Sequence, residues 1–458
     1  MQTTTAARDI AAAERIIADE RDRFRDRMTT SGRLAETAKA HLAGGVTSSW
    51  QISRPHPIWI ERGKGSHVWD VDGNEFVDLH GGYGVMLVGH AHPAIVSAVQ
   101  ERVEQGTHFA QPAPDAVVVA ERLADRYGLP QWRFGNSGTE ATMDAVHLMR
   151  AVTGRDVILK FEGAYHGHHD SVQVSSWNED EDELGPSRRP RSAAASAGIP
   201  EAIVELTLVA PFNDLEAVEA IFAARREEIA GVIIEPVLMN CGIVLPEPGF
   251  LEGLRTVTER YGSLLAYDEV KTGLTLGPGG ATRRFGVTPD IVCLAKALGG
   301  GLPIAAIGGT AEVMGAISSG LYEQVGTFNG NPLCMAAAKA VLTEIMVPET
   351  YARLFEIEDR MRNGAQRIVD EFELPAYVVT IGAKGCITYS TERVTNYRQF
   401  LTIDERFAYA AWLMQLNRGV FLPPWTKGEQ WLTSIQHTDE DIDLYLETLE
   451  AFGRAFRR

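Results

Sequence analysis

The sequence predicts an α/β protein with a mostly parallel central sheet covered by helices, joined to a smaller α+β domain. Between residues 130 and 310, short apolar runs alternate with helical segments, which is typical of parallel strands with helices on both faces. After about residue 345 the pattern changes to helix, short strands and helix. The length of 458 residues exceeds what one compact core usually holds, which also favours two domains.

The elements are predicted in chain order from hydrophobic spacing and turn residues. Residues 7–42 indicate one or two surface helices, and residues 63–79 indicate two strands around the turn Asp72-Gly73-Asn74. Helical spacing follows from residue 92 and again over residues 117–127. The final segment predicts a helix with Thr438 as its N-cap. The expected strands are DVILKFEG, IVELTLVAP, AGVIIEPV, SLLAYDEV and DIVCLAKA in the central sheet, then AYVVTIG and GCITYS in the smaller domain.

Composition narrows the class of protein. Hydrophobic residues make up 45% and charged residues 23%, as in ordinary globular proteins. The formal charge of −18 argues against a general nucleic-acid-binding protein, which usually carries a basic face. No apolar run reaches the roughly 18 residues that cross a membrane, and the first residues lack a signal-peptide core. The four cysteines show no CxxC or metal-ligand spacing. We therefore expect a cytoplasmic protein that uses no metal and acts on small molecules.

Residues 178–200 interrupt the alternation with a charged, then Arg/Pro/Ser-rich, then Ala-rich run. Such a segment predicts a long exposed loop. It fits either a mobile lid or a surface insertion without a role.

A first candidate site lies in FGNSGTEATMDAVHLMR, residues 134–150. Gly135, Ser137, Gly138 and Thr139 precede a helix with one apolar side. Unpaired N–H groups at a helix start, flanked by hydroxyl groups, form a binding site for phosphate. An ordinary capped helix would show the same pattern. The Gly-Lys-Ser/Thr ending of a P-loop is absent, so the pattern does not indicate a nucleoside triphosphate.

A second candidate lies in SLLAYDEVKTG, where Asp268 ends an apolar strand. Side chains alternate along a strand, so Asp268 and Val270 should share a face. A carboxylate beside an apolar side chain can hold a protonated heteroaromatic ring. Alternatively, Asp268 caps the following loop.

A third candidate is Lys296, the single charged residue of IVCLAKALGGGLPIAAIGG. Desolvation lowers the pKa of a lysine in apolar surroundings, and a neutral amine can form a Schiff base. A lysine that reaches solvent with its charged end is the alternative. Together, a phosphate cradle, a carboxylate for a ring nitrogen and a lysine for an aldehyde fit pyridoxal 5′-phosphate.

Six segments resemble the class III pyridoxal-phosphate aminotransferases, in the branch that contains glutamate-1-semialdehyde aminomutase. They are NSGTEA, KFEGAYHGHHD, IIEPV, YDEVKTG, CLAKALGGGLPIAAIGG and GTFNGNP, and the likeness covers roughly residues 40 to 440. The resemblance implies a fold-type I homodimer with active sites at the subunit interface. It implies an N-terminal segment, 1–69, that joins the small domain, a large cofactor-binding domain, 70–345, and a C-terminal small domain, 346–458.

The resemblance also implies roles for single residues. Lys296 would carry the Schiff base and Asp268 would pair with the pyridinium nitrogen. Glu140 and Glu235 would lie near the cofactor, and the histidines of YHGHHD would have an architectural or lid role. The remaining cofactor contacts would be Ser137, Gly138 and Thr139 on the phosphate, Tyr165 and Val270 on the two ring faces, Asn240 at the ring hydroxyl and Thr327 on the phosphate of the neighbouring subunit.

The chain departs from the aminomutase pattern at GGVTSSWQIS, residues 44–53. Gln51 stands where the aminomutase has an arginine that binds the substrate carboxylate, and glutamine cannot supply a bidentate cationic fork. Trp50 and Arg54 are neighbouring substrate candidates. Near the C-terminus, Glu429 occupies a position that is also glutamate in the aminomutase, and Trp425 and Trp431 flank it. With Trp50, these tryptophans would either line a pocket for a bulky substrate or pack the small domain.

The favoured function is amino transfer from an amine or an amino acid, including aryl and β-amino acids, to a carbonyl acceptor. An aminomutase or a racemase would use the same residues without net exchange between two substrates. A non-catalytic binding protein on this fold is the third hypothesis.

Overall fold

The computed structural model describes residues 2–424, 427–428 and 430–458, with side chains from residue 7 onward. Its contacts divide into two compact units. The central unit contains residues 93–352 and 394–402, and the terminal unit contains the residues up to 92, 353–393 and 403–458. The predicted domain limits at residues 69 and 345 stay predictions. By contact, residues 70–92 belong to the terminal unit and 394–402 to the central unit.

The central unit is built on a seven-stranded sheet with the order β4-β10-β9-β8-β7-β5-β6. Strand β10 runs antiparallel to both β4 and β9, whereas the pairs among β5 to β9 are parallel. All the predicted central strands are present. The strands are β4 (Gln131–Gly135), β5 (Val157–Phe161), β6 (Thr207–Ala210), β7 (Ile229–Ile234), β8 (Leu264–Asp268), β9 (Ile291–Leu294) and β10 (Ala305–Gly309).

Helices connect and cover these strands. The alternation of strand and helix in the sequence produces this arrangement, since a parallel connection needs a crossover. The helices of this unit are α4 (Pro93–Glu104), α5 (Asp115–Tyr127), α6 (Gly138–Thr153), α7 (Glu181–Leu184), α8 (Glu201–Val204), α9 (Leu215–Ala224), α10 (Phe250–Tyr261), α11 (Gly280–Phe285), α12 (Ala311–Ser318), α13 (Pro332–Ala340) and α15 (Tyr397–Leu401). Helix α14 (Pro348–Glu371) begins in the central unit and continues into the terminal unit.

Helix α6 anchors the site described below to the core. Its residues Ala141, Ala145 and Met149 are buried in one apolar cluster with Ile158 of β5 and Ile233 of β7. At about 25 cal/mol per Å² of apolar surface, each large side chain of such a cluster contributes about 1.5–3 kcal/mol. The start of α6 is therefore held rigidly against the sheet.

In the described part of the chain, the terminal unit contains two small sheets, several helices of its own and most of α14. The sheets have the orders β1-β2-β3-β13 and β11-β12-β14. The predicted N-cap is confirmed, because the Thr438 side chain accepts from Asp441 N in a capping box. The elements are α1 (Gln2–Arg27), α2 (Thr29–Ala38), β1 (Ile60–Lys64), β2 (His67–Asp70), β3 (Glu75–Asp78), α3 (Gly81–Gly84), β11 (Tyr377–Ile381), β12 (Lys384–Thr388), α16 (Glu405–Leu416), β13 (Val420–Phe421), β14 (Trp431–Leu432) and α17 (Asp439–Phe456).

The segment 178–200 is anchored on the central unit. Tyr397 Oη donates to Asn178 O, and Arg398 Nη2 donates to Gly185 O, both at 2.9 Å. Leu184 is fully buried. A lid movement of the whole segment would have to break these contacts. None of the helices in the described part of the chain combines the length and the apolar composition that a bilayer crossing requires.

Candidate active site

The candidate cofactor residues follow the ends of five strands. Since β4, β5, β7, β8 and β9 run in one direction, their carboxyl ends lie at the same edge of the sheet, where α/β proteins bind ligands. The residues are Ser137 after β4, Tyr165 after β5, Glu235 and Asn240 after β7, Asp268 at the end of β8 and Lys296 after β9.

The predicted phosphate cradle is the first turn of α6. Ser137 is its N-cap and accepts from Glu140 N, while Glu140 Oε2 accepts from Ser137 N at 2.8 Å. The Glu140 carboxylate therefore caps the helix. The approach of Gly138 to Val270 is close, since a Cβ atom at Gly138 would lie 3.0 Å from both Val270 methyl groups. The cradle and the Val270 side chain are thus adjacent.

Asp268 is buried and held by two donors. Its Oδ2 lies 2.8 Å from His166 Nδ1, and its Oδ1 accepts from Val270 N at 3.0 Å. Strand β8 ends at Asp268, so the expected strand alternation does not extend to Val270. The chain instead turns after Asp268, and the hydrogen bond from Val270 N to the Asp268 carboxylate lies within this turn. A carboxylate has about four lone-pair positions, so these two donors leave room for a ring N–H.

Lys296 opens a turn directly after β9. Its φ is +50°, and it begins a 3₁₀ helix that ends at Gly299. A residue other than glycine with a backbone in this left-handed range of φ costs about 1–3 kcal/mol, and such strain is concentrated at functional sites. Gly299 is required by space, since a Cβ there would lie 2.6 Å from Ile304 Cγ2. The glycine turn thus presents Lys296 at the edge of the sheet.

Tyr165, Glu235 and Asn240 form one connected group. Tyr165 N donates to Glu235 Oε1 at 2.9 Å, and Asn240 Nδ2 lies 3.0 Å from both Glu235 oxygens. Burial raises the pKa of Glu235, while nearby His166 lowers it. Asn240 Oδ1 is the atom that can accept a hydrogen bond from a ring hydroxyl group.

The histidines of YHGHHD are hydrogen-bonded around the site. His168 Nδ1 lies 3.2 Å from Thr139 Oγ1, and His169 Nε2 lies 3.4 Å from Thr142 Oγ1. Burial lowers the pKa of His169 to about 3, so this ring is neutral at neutral pH. The sequence did not predict the partners of these histidines. The contact between His166 and Asp268, for example, joins residues that are 102 positions apart. The ring of Trp177, also missed, lies 5.4 Å from that of Tyr165.

Thr327 is exposed and belongs to the central unit. Asn329, two residues later, accepts from Asn136 Nδ2 at 3.1 Å and so joins the GTFNGNP segment to the turn before α6. The contact of Thr327 with a neighbouring subunit stays a prediction.

The substrate candidates lie in the terminal unit. Gln51 is exposed, and its Oε1 accepts from Thr47 N at 3.1 Å and Thr47 Oγ1 at 2.7 Å. Trp50 O accepts from Tyr83 Oη, and the two rings lie 5.5 Å apart. Arg54 is exposed.

Of the two roles left open for Trp431, the structure supports packing in the small domain. It is 4% exposed in β14 and packs against Tyr445 and over Gly385 in the terminal unit. The sequence could not separate a pocket tryptophan from one that packs a small sheet. Glu429 and Trp425 lie outside the described residues.

The sequence matches the family model described as "Aminotransferase class-III" over residues 50–450. The chain belongs to the class-III aminotransferases. It is 40% identical over 416 residues to glutamate-1-semialdehyde 2,1-aminomutase of Desulfitobacterium hafniense, covering 90% of this chain and 94% of that relative.

Two solved structures extend the comparison. An omega-transaminase from Sphaerobacter thermophilus has a TM-score of 0.90 and 32% identity, over 95% of this chain and 99% of the other. A lysine-to-alanine variant of glutamate-1-semialdehyde aminomutase from Pseudomonas aeruginosa PAO1, in complex with PMP, has a TM-score of 0.89 and 29% identity, over 97% of this chain and 99% of the other. The predicted α/β fold of fold-type I transferases is confirmed.

This class-III aminotransferase is a pyridoxal-phosphate enzyme, and its residues fit that cofactor. Gly138 lacks the Cβ that would crowd Val270 beside the helix start. The Asp268 carboxylate is held by donors on two sides and can accept a third hydrogen bond. Lys296 supplies the amine. These residues would hold the phosphate, the ring nitrogen and the aldehyde carbon, respectively.

Proposed function

We propose that this class-III aminotransferase moves an amino group from an amine or amino acid, including aryl and β-amino acids, to a carbonyl acceptor. The observation that carries the proposal is the meeting of Ser137, Tyr165, Asp268 and Lys296 at the carboxyl edge of one sheet. When bound, the cofactor supplies an aldehyde for the amine and a ring that accepts electrons.

The chain's own residues do the remaining work. Lys296 Nζ would hold the aldehyde carbon of the cofactor. Once the donor amine had displaced it, Lys296 Nζ would act as general base and acid for the proton on the donor Cα. Asp268 keeps the ring nitrogen protonated, and His166 and Val270 N hold that carboxylate in place.

The test is a screen of half-reactions. Purified enzyme is mixed with single amines and amino acids, and the loss of the cofactor's absorbance band is followed. We expect one stoichiometric conversion per active site with a true donor, and turnover after a carbonyl acceptor is added. Lys296→Ala should lose turnover, whereas Lys64→Met, a control at an exposed lysine of β1, should keep it. Native turnover by Lys296→Ala would refute the mechanism.

Aminomutase activity is the second candidate, because the curated relative at 40% identity is an aminomutase. Gln51 is an argument against it, since its side chain carries no positive charge for a carboxylate and is turned toward Thr47. Incubation with one amino compound and no acceptor separates the two functions. Sustained isomerisation would favour the mutase or a racemase; a single stoichiometric conversion favours amino transfer.

The substrate assignments of Trp50, Gln51, Arg54 and Glu429 remain part of this proposal. Gln51→Arg provides the test. If Gln51 faces the substrate, the change should raise kcat/KM for a donor with a distal carboxylate relative to one without it. An unchanged ratio would remove Gln51 from the substrate site.

A homodimer with shared active sites is also proposed. Large apolar side chains are exposed around Thr327, with Val325 82% exposed and Phe328 57% exposed. Asn331 Nδ2 donates to Thr107 O, which joins this segment to the one that carries half-exposed Phe109. Exposed apolar patches of this kind mark protein interfaces.

Sedimentation provides the test of the dimer. Wild-type enzyme should sediment as a dimer, and Val325→Asp should weaken both association and cofactor retention. A monomeric wild-type enzyme with full activity would contradict the shared site. All four cysteines are buried thiols that form no disulfide bond, which fits a reducing compartment such as the cytoplasm.

A further inference from the structure

Lys160 is a wholly buried lysine in β5 that no step of the proposed reaction uses. Its ammonium donates to three neutral acceptors: Ala164 O at 2.9 Å, Val174 O at 2.5 Å and Ser176 Oγ at 3.1 Å. An ammonium group without a carboxylate in direct contact is costly to bury. These three bonds satisfy all its donors, so they explain how the charge is tolerated.

The acceptors belong to the two ends of one irregular segment. Residues 164–176 form no helix and no regular strand, and they carry Tyr165 and His166. Lys160 bonds to the first residue of the segment and to two residues near its end. Ser176 Oγ also donates to Ala164 O at 3.0 Å, which closes the segment into a loop.

The peptide group between Ala164 and Tyr165 is held from both sides. Its carbonyl oxygen accepts from Lys160 Nζ, and its N–H donates to Glu235 Oε1. Fixing both polar ends of a peptide plane fixes the direction in which the next side chains leave the backbone. Those side chains are the proposed ring contact and the hydrogen-bond partner of Asp268.

We propose that Lys160 is a positioning residue for the cofactor, acting by clamping the Ala164–Tyr165 peptide together with Glu235. This proposal rests on the assignment of Tyr165 and Asp268 as cofactor contacts. Lys160 itself does not contact the reacting atoms; it sets the orientation of Tyr165 and His166.

The charge environment makes the clamp sensitive to pH. Burial lowers the pKa of Lys160 to about 7, against the opposing effect of Glu235, Cys241 and Glu162, which face it. As the pH rises through this value, the ammonium becomes an amine with two N–H groups, which can serve two of the three acceptors. The clamp should therefore weaken at alkaline pH.

The test compares apoprotein variants titrated with pyridoxal phosphate. Lys160→Met removes all three donors, Ser176→Ala removes one acceptor and leaves the charge, and Lys64→Met, at an exposed lysine of β1, is the control. Lys160→Met should raise the dissociation constant at least tenfold and halve the circular dichroism of the bound cofactor, which reports ring orientation. Ser176→Ala should change both in the same direction by less, and the control should match wild type.

Two further readouts separate positioning from general destabilisation. The ratio of the Lys160→Met and wild-type dissociation constants should shrink from pH 6 to pH 9, which a purely structural defect would not produce. A Lys160→Met enzyme with wild-type affinity and circular dichroism would overturn the proposal. If that variant does not fold, an unchanged Ser176→Ala overturns it. Failure of wild type to bind pyridoxal phosphate would overturn the proposed function, and this proposal with it.

Discussion

Replacing His166 tests how the enzyme holds its pyridinium partner. His166 Nδ1 lies 2.8 Å from Asp268 Oδ2, and the two side chains are 0% and 4% exposed. A hydrogen bond to a charged group contributes about 1.5–3 kcal/mol. His166→Leu removes this donor from a buried carboxylate that water reaches poorly. At tenfold per 1.4 kcal/mol, the cofactor dissociation constant should rise by about 10- to 140-fold.

The assay is absorbance titration of apoprotein with pyridoxal phosphate. His166→Asn should recover much of the affinity, because the asparagine Nδ2 can take the position of the histidine Nδ1. His169→Leu is the matched control in the same segment, since His169 bonds to Thr142 and not to Asp268. A His166→Leu protein that binds the cofactor within twofold of wild type, or a His166→Asn protein that binds it as weakly as His166→Leu, would show that His166 does not hold Asp268 for the cofactor.

Three other predictions concern packing, charge and capping. Gly138→Ala places a Cβ 3.0 Å from the Val270 methyl groups; overpacking of about 1–3 kcal/mol should weaken cofactor binding, and a dissociation constant within twofold of wild type would contradict this. Arg398→Met leaves Glu162, whose carboxylate is 1% exposed, without its cation, and should destabilise the fold by about 3–5 kcal/mol in urea unfolding. Burial raises the pKa of Glu162, so this carboxyl group favours the folded state at low pH, and that stabilisation is lost as the pH rises and the group ionises. Arg398→Met should therefore lower the free energy of unfolding less at pH 5 than at pH 8. An equal loss of stability at both pH values would argue against a buried charge at Glu162. Thr438→Ala should cost about 1 kcal/mol by removing the α17 cap, while Thr438→Ser should not, and equal unfolding curves for all three proteins would disprove the cap's role.

Much of the fold could be predicted because its signals are local. Short apolar runs bounded by turns gave the strands that carry Asp268 and precede Lys296, and a threonine followed by acids gave the cap of α17. A parallel sheet then brings strand ends together, so residues far apart in sequence were expected at one edge. The phosphate cradle, Asp268 and Lys296 could be proposed on this basis.

The rest depends on contacts between distant residues. His166 and Asp268 are 102 residues apart, and Arg398 and Glu162 are 236 residues apart, so neither pair leaves a local pattern. Lys160 looked like one residue of an apolar strand, and only its three acceptors show that it clamps the next segment. The sequence left open whether Trp431 lines a pocket or packs the small domain, because burial by its own sheet has no distinct sequence signal.

The most direct test of the central claim is to locate the lysine that binds the cofactor. The enzyme loaded with pyridoxal phosphate is reduced with borohydride, digested and examined by peptide mass spectrometry. We expect the reduced cofactor to be attached to Lys296, in the peptide that follows β9. Attachment to Lys271 or Lys160, or a protein that carries no label after loading, would contradict it.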